Sequence, residues 1–205
     1  MSHETSRIEA FSDGVIAIAA TLLILEIRVP LPDDVHTPAE LWAALVRLWP
    51  SYFAFVYSFG TIFVAWINHH HAIRFIAQPS RAFQYANGFL LMTITFLPFP
   101  TALLARYLTT ELAQPAIFFF CASSVLHNLG WLVLLETCLR VPGTVRPAAR
   151  DEAADLRRAT LLGGAVYVAT TILAGWYPVA ALGINSSIWL LWIGMSLTTG
   201  RRGEG

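Results

Sequence analysis

The segment Arg7 to Glu26, R-I-E-A-F-S-D-G-V-I-A-I-A-A-T-L-L-I-L-E, constrains the fold more than any other part of the chain. It is apolar over about the length a helix needs to cross a bilayer core, yet it carries Ser12 and Asp13 near its entrance. An ionisable side chain persists in such a helix only where it is paired or faces a protected interior. The remainder of the chain must supply that interior.

Composition agrees: 56% of the 205 residues are hydrophobic and 13% charged, and the mean hydropathy is +0.59. These values belong to an all-α polytopic membrane protein, read here as one domain, residues 1–205. Helix one is predicted over about residues 8–29, stopped by Pro30 and Pro32. Helix two follows a polar loop and runs over about 39–73, with Pro50 as a kink or as the start of its embedded part and Trp42 and Trp49 at the outer interface. Helix three is expected over 83–105, with Pro98 and Pro100 near its far end, and helix four over 115–139. After an extended polar linker from Arg140 to Arg158, helices five and six are expected over 159–176 and 179–197.

Six transmembrane helices put both termini on one side. A cytoplasmic assignment places Arg7, Arg74, Arg81, Arg140, Arg146, Arg150, Arg157, Arg158, Arg201 and Arg202 inside and leaves Arg28, Arg47 and Arg106 outside, as the positive-inside rule favours. The expected location is therefore the cell membrane, multi-pass, with lipid as the surroundings. The first apolar run opens with Glu4, Glu9 and Asp13 and reads as a retained span rather than a cleaved signal. Acids balance bases, so net charge implies no nucleic-acid partner. Cys121 and Cys138 fall on one helix about 25 Å apart and do not pair with each other. Six short spans with small loops leave little room for a site within one subunit, which points to function at the axis of an oligomer.

With this orientation, Phe11, Ser12 and Asp13, then Trp66, Asn68, His69, His70 and His71, then Gln84 and Asn87, meet in one layer near the cytoplasmic face. One reading is a hydrogen-bonded network that fixes helix one. Another is a membrane metal or haem redox site at His69 to His71, although helical neighbours point about 100° apart and a shared metal prefers i, i+3 or i+4 spacing. A third is a proton-coupled carrier using Asp13 and Glu136. Higher on helix one, Ile18, Thr21, Leu22 and Leu25 share a face with Phe11 and Gly14. That face reads either as ordinary packing and lipid contact or as a pore-lining stripe whose aliphatic rings close by dewetting. Glu26 suits either an outer mouth that concentrates cations or an interfacial helix end. The sequence holds no T-V-G-Y-G filter, nucleotide-binding loop, His-Glu-x-x-His or Gly-x-Ser-x-Gly, which disfavours an enzyme.

The motif Arg7-x-x-x-Phe11-Ser12-Asp13, followed by Gly14 to Leu23, resembles the first-helix signature of bacterial members of the transmembrane protein 175 potassium channel family. That resemblance implies a symmetric homotetramer of six-helix subunits whose first helices line a potassium-permeable, leak-type pore, with permeant potassium and other monovalent cations but no cofactor or bound metal. It further implies a constriction at Ile18, Leu22 and Leu25, potassium selection at Thr21, and an anchoring network of Arg7, Phe11, Ser12 and Asp13 with Trp66, His69 and His70.

Overall fold

The computed structural model describes the backbone of residues 3–202 and the side chains of 3–188, 192 and 194. The side chains of Arg201 and Arg202, counted above among the cytoplasmic arginines, lie outside the described residues. The fold is all-helical: α1 is His3–Leu22, α2 Pro38–Arg47, α3 Trp49–Arg74, α4 Arg81–Phe96, α5 Pro98–Tyr107, α6 Ala113–Arg140, α7 Arg150–Leu173 and α8 Pro178–Arg202. Among the described residues four segments are long and apolar enough to cross a membrane, namely His3–Glu26, Trp49–Arg74, Arg81–Tyr107 and Ala113–Arg140. The N-terminal third of α7 is charged, with Asp151, Glu152, Asp155, Arg157 and Arg158, and so falls outside that group.

Proline explains most departures from the expected boundaries. Helix one stays α-helical only to Leu22 and tightens into a 3-10 turn over Leu23–Glu26, with extended backbone at Ile27 rather than helix to residue 29. Pro30 offers no N–H to the Glu26 carbonyl and disfavours a helical Val29. The expected second helix is two, because Pro50 cannot donate to the Val46 carbonyl; the chain breaks at Leu48 and restarts at Trp49. Pro98 likewise separates α4 from α5. Two starts move upstream for the opposite reason, a favourable cap. Thr37 and Glu40 close a reciprocal capping box on α2, and the Ser80 hydroxyl accepts from the Phe83 N–H.

The polar linker is shorter than expected, since α7 begins at Arg150, where Asp151 and Glu152 complement the positive end of the helix. What remains is a built turn. Pro142 and Gly143 occupy its central positions, Gly143 has φ 79°, and the Thr144 N–H donates to the Val141 carbonyl at 3.3 Å, the pattern of a type II turn. Thr144 and Arg146 then pair with the loop after α3: Ala77 N donates to Thr144 O and Arg146 N to Phe75 O, both at 2.8 Å.

Helix α6 is the hub, packing on α4, α5, α7 and α8, while α1 lies against α3 and α4. One core cluster joins Ile16 and Ala19 of α1 and Leu23 of the 3-10 turn to Ile62, Phe83, Leu90 and Leu134. A second, toward the opposite end, gathers Ala54, Leu104, Ile117, Phe120 and Leu182.

Candidate functional site

The residues singled out on α1 divide between two faces. Thr5, Ser12, Ile16, Ala19 and Leu23 are buried in the subunit, Ala19 at 1% exposure and Leu23 at 0%. Phe11, Ile18, Leu22 and Leu25 are exposed at 65%, 61%, 44% and 70%, and Gly14 and Thr21 lie on the same uncovered side. A helix with one face packed has a definite rotation about its axis. The Thr21 hydroxyl donates to the Ile18 carbonyl at 2.9 Å, so its lone pairs are what it presents outward. Glu26 is half-buried where the 3-10 turn ends.

Rotation is set by polar contacts toward the N-terminal end of α1. Trp66 Nε1 donates to Asp13 Oδ1 at 2.9 Å. The Ser12 hydroxyl spends its single proton on the Ile8 carbonyl at 2.9 Å, so it must accept from Asn87 Nδ2 at 3.0 Å. Asn87 Oδ1 is thereby an acceptor, and His69 Nε2–H donates to it at 2.8 Å. His69 is fully buried, and its Nδ1 has no partner among the described residues.

The three histidines diverge as helical geometry requires. His69 points to Asn87 on α4; His70 Nδ1–H donates to Glu9 of α1 at 2.8 Å while its Nε2 accepts from Arg74 at 3.1 Å; His71 pairs with Glu152 of α7 at 2.9 Å. Among the described residues no three His, Cys, Asp or Glu side chains gather as a metal ion would need. Glu136, the other carboxylate considered for a carrier, is held by Arg140 and Arg157.

Arg7 and Phe11, grouped with the anchoring network on sequence, stand apart from it within the single chain. Phe11 and Ser12 are neighbours on a helix, so burying Ser12 turns Phe11 outward. Arg7, one turn earlier, shares the Phe11 side and has no carboxylate within ion-pair distance among the described residues. Both line an open groove between α1 and α4 with Glu4, Gln84 and Asn87. Two contributors went unremarked in the sequence as partners of helix one: Glu9, which binds His70, and Glu4, which accepts from Gln84 at 3.0 Å. Their signal was present, since Glu9 precedes Asp13 by four residues and so lies one helical turn before it.

The family described as endosomal/lysosomal potassium channel TMEM175 matches residues 7–98, which hold most of α1, the Ser12–Asn87–His69 and Asp13–Trp66 contacts and the exposed stripe. A relative described as a potassium channel, from Chamaesiphon minutus, is 52% identical over 132 residues, covering 62% of this chain and 64% of that protein. Another potassium channel, from Streptomyces collinus, is 48% identical over 112 residues, 55% of this chain and 53% of the relative. Both matches therefore span less than two-thirds of the relative's length. The solved structure of a lysosomal potassium-selective channel TMEM175 homolog from Chamaesiphon minutus superposes with a TM-score of 0.86 at 37% identity, over 95% of this chain and 99% of that one. The chain belongs to the TMEM175 family. Membership confirms the resemblance drawn from helix one, and TMEM175 is a family of ion channels rather than enzymes.

Proposed function

We propose that this TMEM175 chain is one subunit of a potassium-preferring, leak-type cation channel, a homotetramer in the cell membrane in which four copies of α1 surround the pore. The observation that carries this reading is the uncovered face of α1. Phe11, Ile18, Leu22 and Leu25 are left without a cover in a helix whose opposite face is fully packed and whose rotation is pinned at Asp13, Ser12 and Glu9. The relatives' description as potassium channels supports the choice of ion.

In this arrangement Ile18, Leu22 and Leu25 form successive aliphatic rings that narrow the path and oppose wetting. Thr21 lies between them, with its proton committed to the backbone, and offers oxygen lone pairs to a partly dehydrated cation. Glu26 raises the cation concentration at the outer mouth. Arg7 and Phe11 lie at the inner end of the same face, where a neighbouring subunit packs. Six spans with both termini cytoplasmic complete the topology, α7 and α8 crossing beside the four more apolar segments.

Proteoliposome flux tests the constriction. Ile18→Asn places polar amides in the narrowest ring, and potassium flux is expected to rise severalfold. Unchanged flux in a correctly assembled variant removes Ile18 from the constriction.

A further inference from the structure

Away from α1, the subunit carries a second feature, a partly open cavity with mixed polar and apolar walls. The cavity, of about 50 Å³, lies among α3, α6, α7 and α8, lined by Thr61, Asn68, Asn128, Thr160, Tyr167 and Trp192 together with apolar and aromatic side chains. A smaller one of about 20 Å³ adjoins it through shared walls at Tyr57, Thr61, His127 and Tyr167.

The lining separates into spent and unspent groups. Thr93 donates to the Leu90 carbonyl at 2.7 Å, so it must accept from His127 Nδ1–H at 3.2 Å; Trp131 Nε1, which only donates, fills His127 Nε2 at 3.3 Å. His127 is therefore a satisfied, neutral imidazole. Asn128 is the reverse. It is 7% exposed, and its carboxamide, two donors and an acceptor, has no hydrogen-bond partner among the described residues, nor has the amide of Asn68. Tyr167 accepts from Trp192 Nε1 at 3.2 Å and keeps its own proton free.

The site is built to hold that amide. Gly163 and Gly164 of α7 form a notch in which a Cβ at Gly164 would stand 2.5 Å from Asn128 Oδ1 and one at Gly163 2.8 Å from the Trp192 ring. An unpaired carboxamide within a helical bundle is costly, and no lipid atom repays it. Size then chooses the guest. The cavity admits a few molecules the size of water and is well short of the roughly 150 Å³ that takes an aromatic ring. A lone cation finds no carboxylate among the lining residues to balance its charge.

We propose that this cavity is a resident water site: a small cluster of ordered water, separate from the α1 face, that bridges Asn128 of α6, Asn68 and Thr61 of α3, and Thr160 and Tyr167 of α7 inside each subunit. It makes the α3, α6 and α7 seam polar yet satisfied at this level, where exchangeable solvent joins the three helices in addition to the direct pairs His71–Glu152 and Glu136–Arg157.

Radiolytic hydroxyl-radical labelling of the full chain in detergent tests this, because radicals born from resident water mark the buried and half-buried side chains beside it. Trp131 and Tyr167 are expected to label promptly, while Phe83, in the dry core at 1% exposure, stays unlabelled. Asn128→Leu, which keeps the bulk and removes the polar group, is expected to cut the Trp131 and Tyr167 signals severalfold and to leave exposed Trp42 unchanged. Gly164→Ala, which displaces the amide, serves if Asn128→Leu fails to fold. Absence of prompt labelling in the unaltered protein overturns the proposal. So does labelling that vanishes when potassium is replaced by a large organic cation, which would make the occupant an ion.

Discussion

Asn87 uses both ends of its amide inside the membrane, receiving His69 and donating to Ser12, and so joins α3, α4 and α1 through one side chain. Asn87→Leu leaves Ser12 bonded to the Ile8 carbonyl but strips buried His69 of its partner on a ring whose other nitrogen is already unpaired. A loss of about 1–3 kcal/mol is expected, read as a lower melting temperature of the detergent-solubilised protein; an unchanged melting temperature would show that the amide is not what holds the layer. Thr21→Val removes the lone pairs and keeps the shape. The potassium-over-sodium ratio from bi-ionic reversal potentials is expected to fall severalfold, and an unaltered reversal potential excludes Thr21 from selection. The polar layer itself was legible in the sequence, since Ser12, Asp13, His69 and Asn87 fall at one depth once the spans are oriented. Which histidine met which helix was not. Three adjacent imidazoles sweep about 200° of the α3 surface, so each meets a different neighbour, and only the placement of α1, α4 and α7 decides which.

At the scale of elements, the apolar runs and their proline stops placed every long helix, and the errors lie where one hydrogen bond decides. Pro50 was visible as an interruption, but whether the chain bends or restarts depends on how α2 and α3 then pack, which periodicity does not carry. The start of α7 was missed for a related reason. Its first turns are charged, and an amphiphilic helix end protruding from a membrane resembles a loop when only hydropathy is followed. Gly143 is the converse case, a residue whose type announces its role. With φ at 79°, an added Cβ is strained by roughly 1–2 kcal/mol although nothing lies within 4 Å to clash with it. Gly143→Ala is expected to lower stability by that amount, with faster amide exchange at Ala77 and Arg146, whose N–H groups depend on the turn. Protection unaffected at both amides would show that the turn does not hold the two loops together.

For the whole molecule, the proposed channel gives the uncovered α1 face its role in an assembly. Native mass spectrometry in mild detergent is expected to give four chains, and Leu22→Arg, which puts a guanidinium on the axis of each ring, to abolish conduction. A stable monomer would leave the aliphatic stripe facing lipid. The sequence pointed to an oligomer through economy of space, six spans being too few to enclose a path, but the number of subunits came from family resemblance rather than from spacing. The buried half of α1 was legible only as the complement of the stripe. Ile16, Ala19 and Leu23 are no more apolar than Ile18 and Leu22, so hydropathy alone does not say which set is covered.

The divergent histidines carry a mechanical consequence. A helix end held at three compass points, toward α4, α1 and α7, behaves as a keyed shaft: turning α3 by a single residue would move each imidazole about 100° from its mate and break three contacts together. Helix α1 is keyed to the same shaft through Asp13 and Glu9. In the proposed channel, spinning α1 alone to widen the pore would have to strip the key, so dilation is expected to proceed by tilting α1 and α3 as one rigid pair.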